Sequence, residues 1–157
     1  MKKIAIGIAT VLVIVAIGLV YSFQQNKVIT VEELLNKERK SESIEQPIVR
    51  IEILRQIPEK ALDATIIEEE EMITELLKLM ESVSLQKTNR GISLKEEYYS
   101  LSFYVDDGGF FKLRASLSVL GEFVKDMDDS MRHYEVKGEN ALFEYLVNLE
   151  VDWSRAY

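Results

Sequence analysis

Three groups of side chains in this sequence have the types that could do chemistry. His133 is the single histidine, and a nucleophilic triad would set it beside Ser130 with Asp128 as the orienting carboxylate. Those residues are near neighbours in the chain, and no G-x-S-x-G elbow accompanies them, so His133 reads as a surface or sheet-edge residue. Asp126-x-Asp128-Asp129 offers hard oxygen ligands of the kind calcium takes. No glycine follows at the sixth position and Glu135 is not at the twelfth, so the EF-hand pattern fails and the segment reads as a solvated loop. Asp106 and Asp107 would serve as paired carboxylates for acid–base work, but Gly108-Gly109 beside them is a hairpin-turn signal that explains both. The remaining group is aromatic. Tyr98, Tyr104 and Phe110, with Tyr99 as a further candidate, crowd one hairpin, and any that lie away from the core would make a binding face. No metal and no cofactor is expected, because one histidine and no cysteine leave only carboxylates, and no glycine-rich phosphate loop occurs.

The elements that must position these residues follow from periodicity. Tyr99, Leu101, Phe103 and Val105 alternate with Tyr98, Ser100, Ser102 and Tyr104; Phe111, Leu113, Ala115 and Leu117 alternate with Lys112, Arg114 and Ser116. These two runs flank the Asp-Asp-Gly-Gly turn and form an antiparallel hairpin. Val49, Ile51 and Ile53 alternate with Arg50 and Glu52 as a half-buried strand; Pro58-Glu59-Lys60 turns the chain, and Ala61 to Ile67 returns it. Glu68 to Glu71 open an amphipathic helix over 69–82, where acidic side chains oppose the positive end of the helix dipole. Thr30-x-x-Glu33 is a capping box for a short helix over 31–39. A further strand over 119–125, interrupted near Gly121, a last strand over 133–136, and a helix after Gly138-Glu139-Asn140 complete the order. The fold class expected is α+β: an antiparallel sheet with helices on one face.

The first 26 residues set the expected location. Lys2 and Lys3 precede an uncharged, largely apolar run over 4–23, and twenty helical residues span about 30 Å, the thickness of a bilayer's hydrocarbon core. Basic residues before it and Gln24-Gln25-Asn26 after it orient the chain with its N-terminus cytoplasmic and its C-terminal part outside. The alternative is a cleaved signal, with Ala16-x-Gly18 and Val20-x-Ser22 as sites, which releases the same part as a secreted protein. Three regions follow: 1–26 as anchor, 27–46 as a juxtamembrane helix and linker, and 47–157 as the folded α+β domain.

Composition narrows the function. The chain has 157 residues, a net charge of −8 and no cysteine. Without Lys2 and Lys3 the exported part carries 17 basic and 27 acidic residues. It has no basic footprint for a nucleic acid, and an anionic lipid surface would repel it. Absence of cysteine excludes a disulfide framework, a thiol nucleophile and a lipidated cysteine.

Ile66-Ile67-Glu68-Glu69-Glu70-Glu71-Met72-Ile73, Tyr104-Val105-Asp106-Asp107-Gly108 and Tyr134-Glu135-Val136, taken in order, resemble the small, uncharacterised extracytoplasmic domains of Gram-positive bacteria held by a signal anchor or a lipid. The resemblance covers 47–149 and implies a fold and a location outside the bacterial membrane, not an activity or catalytic residues. Here no lipobox cysteine stands at the start, so the anchor it implies is the helix over 4–23. The function expected is a non-enzymatic, membrane-anchored domain that binds a protein partner or a cell-envelope component. The alternatives are a carboxylate-dependent envelope hydrolase built on Asp106, Asp107, Asp126 and Asp128, and an accessory subunit whose membrane helix is the contact surface.

Overall fold

A computed structural model describes residues 13–17, 27–41, 46–91, 96–127 and 132–155. Its centre is one nine-stranded antiparallel sheet. The strands are β1 (Val28–Thr30), β2 (Ile48–Gln56), β3 (Asp63–Ile67), β4 (Ser84–Thr88), β5 (Tyr98–Asp107), β6 (Phe110–Leu120), β7 (Phe123–Asp126), β8 (His133–Val136) and β9 (Ser154–Arg155). They lie in the order β1-β4-β8-β7-β6-β5-β2-β3-β9. Three helices join them: α1 (Val31–Ser41), α2 (Glu70–Ser82) and α3 (Ala141–Val147). The α+β class with an antiparallel sheet is therefore the one the periodicity predicts.

Local signals place the helices. Thr30 Oγ1 accepts the Glu33 N–H at 3.0 Å, and Glu33 Oε2 accepts the Thr30 N–H at 3.2 Å, so both halves of the capping box at α1 are made. Helix α2 has no side-chain cap; Glu70 and Glu71 in its first turn supply the favourable charge instead. It carries the chain from β3, near one edge of the sheet, to β4, near the other, and so lies across the sheet's inner side. Asn140 caps α3 by accepting the Phe143 N–H at 3.1 Å.

Strand alternation supplies the other half of the core. Ile51 and Ile53 of β2, Ile67 of β3, Leu85 of β4, and Tyr99, Leu101 and Phe103 of β5 are at most 1% exposed. They form one cluster with Leu34, Leu76, Met80 and Leu142 from the three helices. At one end of this layer the Tyr99 ring meets Phe143 edge-on at 5.8 Å, and its hydroxyl donates to Glu97 at 2.7 Å. Arg55 pairs with the same carboxylate at 2.8 Å and lies over the Trp153 ring.

Several expectations are corrected here. The core does not begin at Pro47: β1 pairs with β4, and Val31, Leu34 and Leu35 of α1 are buried in the same cluster as the sheet. Residues 27–41 are thus part of the folded unit, and the short α1 gains its stability by packing in that cluster. The run over 119–125 is two strands, β6 and β7, turning at Gly121-Glu122. Strand β8 is not last in the chain; β9 follows it and pairs with β3. Residues 13–17 are helical with Val13, Ile14, Val15 and Ile17 exposed, and among the described residues no helix is long and apolar enough to cross a membrane. The rest of the run over 4–23 lies outside the described residues.

Candidate functional site

The three helices share the cluster formed by the inward side chains, which leaves the alternate side chains of β2, β5 and β6 on the opposite face. Antiparallel pairing sets these residues in rows across the strands. Ser100 and Ser118 share a hydrogen bond at 3.1 Å, and Ser102 and Ser116 share one at 3.2 Å. In the next row the Tyr104 hydroxyl donates to Glu52 Oε2 at 2.9 Å. Burial first, then that carboxylate, pushes the Tyr104 phenol above its usual pKa. The Arg50 guanidinium lies 5.7 Å from the Tyr104 ring and 4.8 Å from the Phe111 ring, and pairs with Glu68 at 3.4 Å.

Phe111 sits on this face in the register that the turn sets, and the ladder changes register only beyond it. Between Phe103↔Ala115 and Tyr104↔Leu113, Arg114 is an extra residue on β6, and Val49 is its counterpart on β2 between Ile48↔Val105 and Arg50↔Tyr104. A one-residue slip exchanges the two faces of a strand. The expected alternation of Phe111 and Leu113 with Ala115 and Leu117 therefore breaks at Arg114. Ala115 and Leu117 enter the core, whereas Leu113 pairs with Tyr104 and Phe111 with Asp106 on the open side. Phe111 is 52% exposed, Leu113 49%, and Phe110 at the hairpin tip 79%.

The tip itself is fixed by its turn. Gly108 and Gly109 have φ of +66° and +92°, which glycine adopts without the Cβ cost, and Asp106 Oδ1 accepts the Gly109 N–H at 2.8 Å. That bond uses one of the two tip carboxylates in holding the turn.

The residues expected to form the aromatic face are placed as follows. Tyr104 is half-buried on the open side, and Phe110 stands at the tip. Tyr98 is half-buried on the same side but six residues along β5, opposite Gln56 and Leu120, about 20 Å from Tyr104. Tyr98 and Phe110 are therefore not one site. Tyr99 is fully buried in the core and is no part of this face. Arg50, Phe111 and Leu113, the residues that join Tyr104 to the tip, were not among the expected ones.

The carboxylates considered for hydrolysis are scattered. Asp106 and Asp107 are exposed at the tip; Asp126 is 3% exposed at the end of β7, opposite Leu117. Asp128, Asp129 and Ser130 lie outside the described residues. His133 is half-buried on β8, with Nδ1 3.4 Å from the Arg90 carbonyl oxygen. Among the described residues no three His, Cys, Asp or Glu side chains are grouped to hold a metal ion. No protein-family model, no curated protein and no solved structure matches the chain.

Proposed function

We propose that this chain is a membrane-anchored extracytoplasmic domain that binds a protein partner through the tip of the β5–β6 hairpin and the open sheet face beside it. One observation carries the reading: the register that the hairpin turn sets holds Phe111 and Leu113 on the open side, half exposed, beside Tyr104 and Arg50, with Phe110 exposed at the tip. Large apolar groups gathered at one place on a surface mark contact sites more often than they serve stability. Arg50, stacked on two rings, places a guanidinium within this apolar surface, a combination that protein interfaces favour. The apolar run over 4–23 after Lys2 and Lys3 supports the anchor, with the folded part outside. The order of motifs over 47–149, like that of Gram-positive extracytoplasmic domains, agrees with it.

The test is a photo-crosslinking phenylalanine analogue placed at Phe110 in the full-length protein in living cells, with the same residue at exposed Lys78 on α2 as control. The expected result is a discrete, protease-sensitive adduct at Phe110 that is missing at Lys78. A protease-resistant smear would instead identify an envelope polymer, and equal labelling at both positions would refute a specific face.

A further inference from the structure

A second surface lies on the outer edge of β3. Strand β9 covers this edge only at Asp63 and Ala64. Ser154 Oγ donates to the Ala64 carbonyl oxygen at 3.2 Å, so the Ala64 carbonyl points away from β2 and toward the edge. Backbone groups alternate in direction along an antiparallel strand. The N–H and carbonyl of Ile66, two residues on, therefore point the same way, past the end of β9. Beyond them the edge closes again, because the Glu68 N–H is taken by the Glu69 carboxylate at 3.3 Å.

The chain before β9 runs alongside this stretch without pairing to it, and the gap is a cleft of about 780 Å³, within the range of ligand-binding pockets. Its walls carry the carboxylates of Glu52, Glu69, Glu150 and Asp152 and no Lys, Arg or His. Thr65, only 8% exposed, also lines it, and its hydroxyl makes no hydrogen bond to the described residues. A hydroxyl at the cleft without a protein partner and an outward backbone pair offer hydrogen bonds to an occupant. The acidic lining, with Glu150 and Asp152 exposed, favours a cationic one. The carboxylates are not grouped for a metal ion.

From this arrangement we infer that the cleft binds an extended, lysine- or arginine-bearing peptide segment, added as a short strand against Ile66 with its basic side chains on Glu150 and Asp152. This is β-strand addition: main-chain bonds to an edge give affinity, and pockets for alternate side chains give selectivity. The site is centred on the β3 edge rather than on the hairpin tip, although Glu52 borders both it and the open face, and the inference does not depend on the function proposed above.

Fluorescence anisotropy would test it, using full-length protein in detergent micelles and a labelled peptide alternating Lys and Val. Three changes separate the contributions. Methylating the backbone nitrogens of the peptide removes its strand-forming donors, acetylating its lysines removes its charge, and E150Q/D152N removes two carboxylates of the cleft. Each is expected to weaken binding at least tenfold, whereas Phe111→Ser at the hairpin leaves it unchanged. Spermidine, which has the charge without the backbone, is expected to compete at least a hundredfold less well than unlabelled peptide. The inference is overturned if binding does not saturate, if the methylated peptide binds as well as the parent, if spermidine competes equally, or if E150Q/D152N binds like the native chain. Loss of binding in the Phe111→Ser protein would also overturn it, by moving the site to the hairpin.

Discussion

Phe111→Ser tests whether the open face serves contact or stability. The ring is 52% exposed, so only about half of the 1.5–3 kcal/mol that full burial of such a side chain contributes is at stake, about 1 kcal/mol. The guanidinium of Arg50 at 4.8 Å adds about 0.5–1 kcal/mol at an exposed site. Together these give about 1.5–2 kcal/mol, or a fall in Tm of about 5–10 °C for a domain of this size. A control of equal cost is needed, and Tyr99→Phe supplies it. That change removes the hydroxyl's bond to Glu97 at 2.7 Å while Glu97 keeps Arg55 at 2.8 Å, so the cost lies near the lower end of the range for bonds to charged groups, about 1.5 kcal/mol. Urea unfolding followed by circular dichroism gives both stabilities, and crosslinking from Phe110 in cells gives the contact. The expected outcome is that both variants lose similar stability, while only Phe111→Ser loses the adduct, at least tenfold. Equal loss in both variants would mean that the adduct reports foldedness alone. A cost above about 4 kcal/mol for Phe111→Ser, the range of fully buried aromatic residues, would mean that the ring is core and the face is not free.

Asn140 ties two elements together: its Oδ1 caps α3, and its Nδ2 donates to the Leu120 and Gly121 carbonyls at 3.2 and 2.9 Å. Asn140→Ala should cost about 2–3 kcal/mol, a cap plus one buried and one half-buried acceptor left unmet, with an unchanged urea m value; a loss below 1 kcal/mol would show that the turn satisfies itself. Alkaline titration read at 295 nm should show a late group of tyrosines. Burial first, and then Glu97, Glu52 and Glu75 respectively, hold the Tyr99, Tyr104 and Tyr145 phenols above the ordinary value. Because the folded pKa values are raised, the stability they contribute is complete below the unfolded value near 10 and is lost as pH rises through the folded ones. Unfolding should therefore accompany their ionisation, and a single wave near pH 10 without unfolding would refute it.

Much of this arrangement is local and so could be read directly. The capping box at Thr30 and Glu33, the acidic first turn of α2 and the Asp-Asp-Gly-Gly turn each depend on residues within one turn of one another. The inward set on β5 follows from strict alternation in a strand with one buried face. Strands β1, β4 and β9 carry no such signal. They are two to five residues long and are held by partners distant in sequence, β1 by β4 and β9 by β3. The β3 cleft is hidden for the same reason, since Glu52, Glu69 and Asp152 meet only after the sheet has assembled.

The outward turn of Phe111 and Leu113 is a different case, because the sequence contains a conflict that forces it. A two-residue turn at Gly108-Gly109 sets Asp107 opposite Phe110, and counting back through a regular ladder would place Arg114 opposite Phe103 and Ser116 opposite Leu101. That register would put a guanidinium and a hydroxyl in the core. The apolar pattern demands instead that Phe103 meet Ala115 and Leu101 meet Leu117. The two registers differ by one residue, and an extra residue on β6 satisfies both. Each neighbouring turn or face taken alone looks regular, so alternation read from either end misplaces the other. The half of the hairpin governed by the turn keeps its own facing, and that is why two large apolar side chains stand outside beside Tyr104 and Arg50. Deleting Arg114 would join the two registers directly and leave Phe111 and Leu113 on the open side. The apolar surface thus follows from the turn's register, and the extra residue lets the core tolerate it.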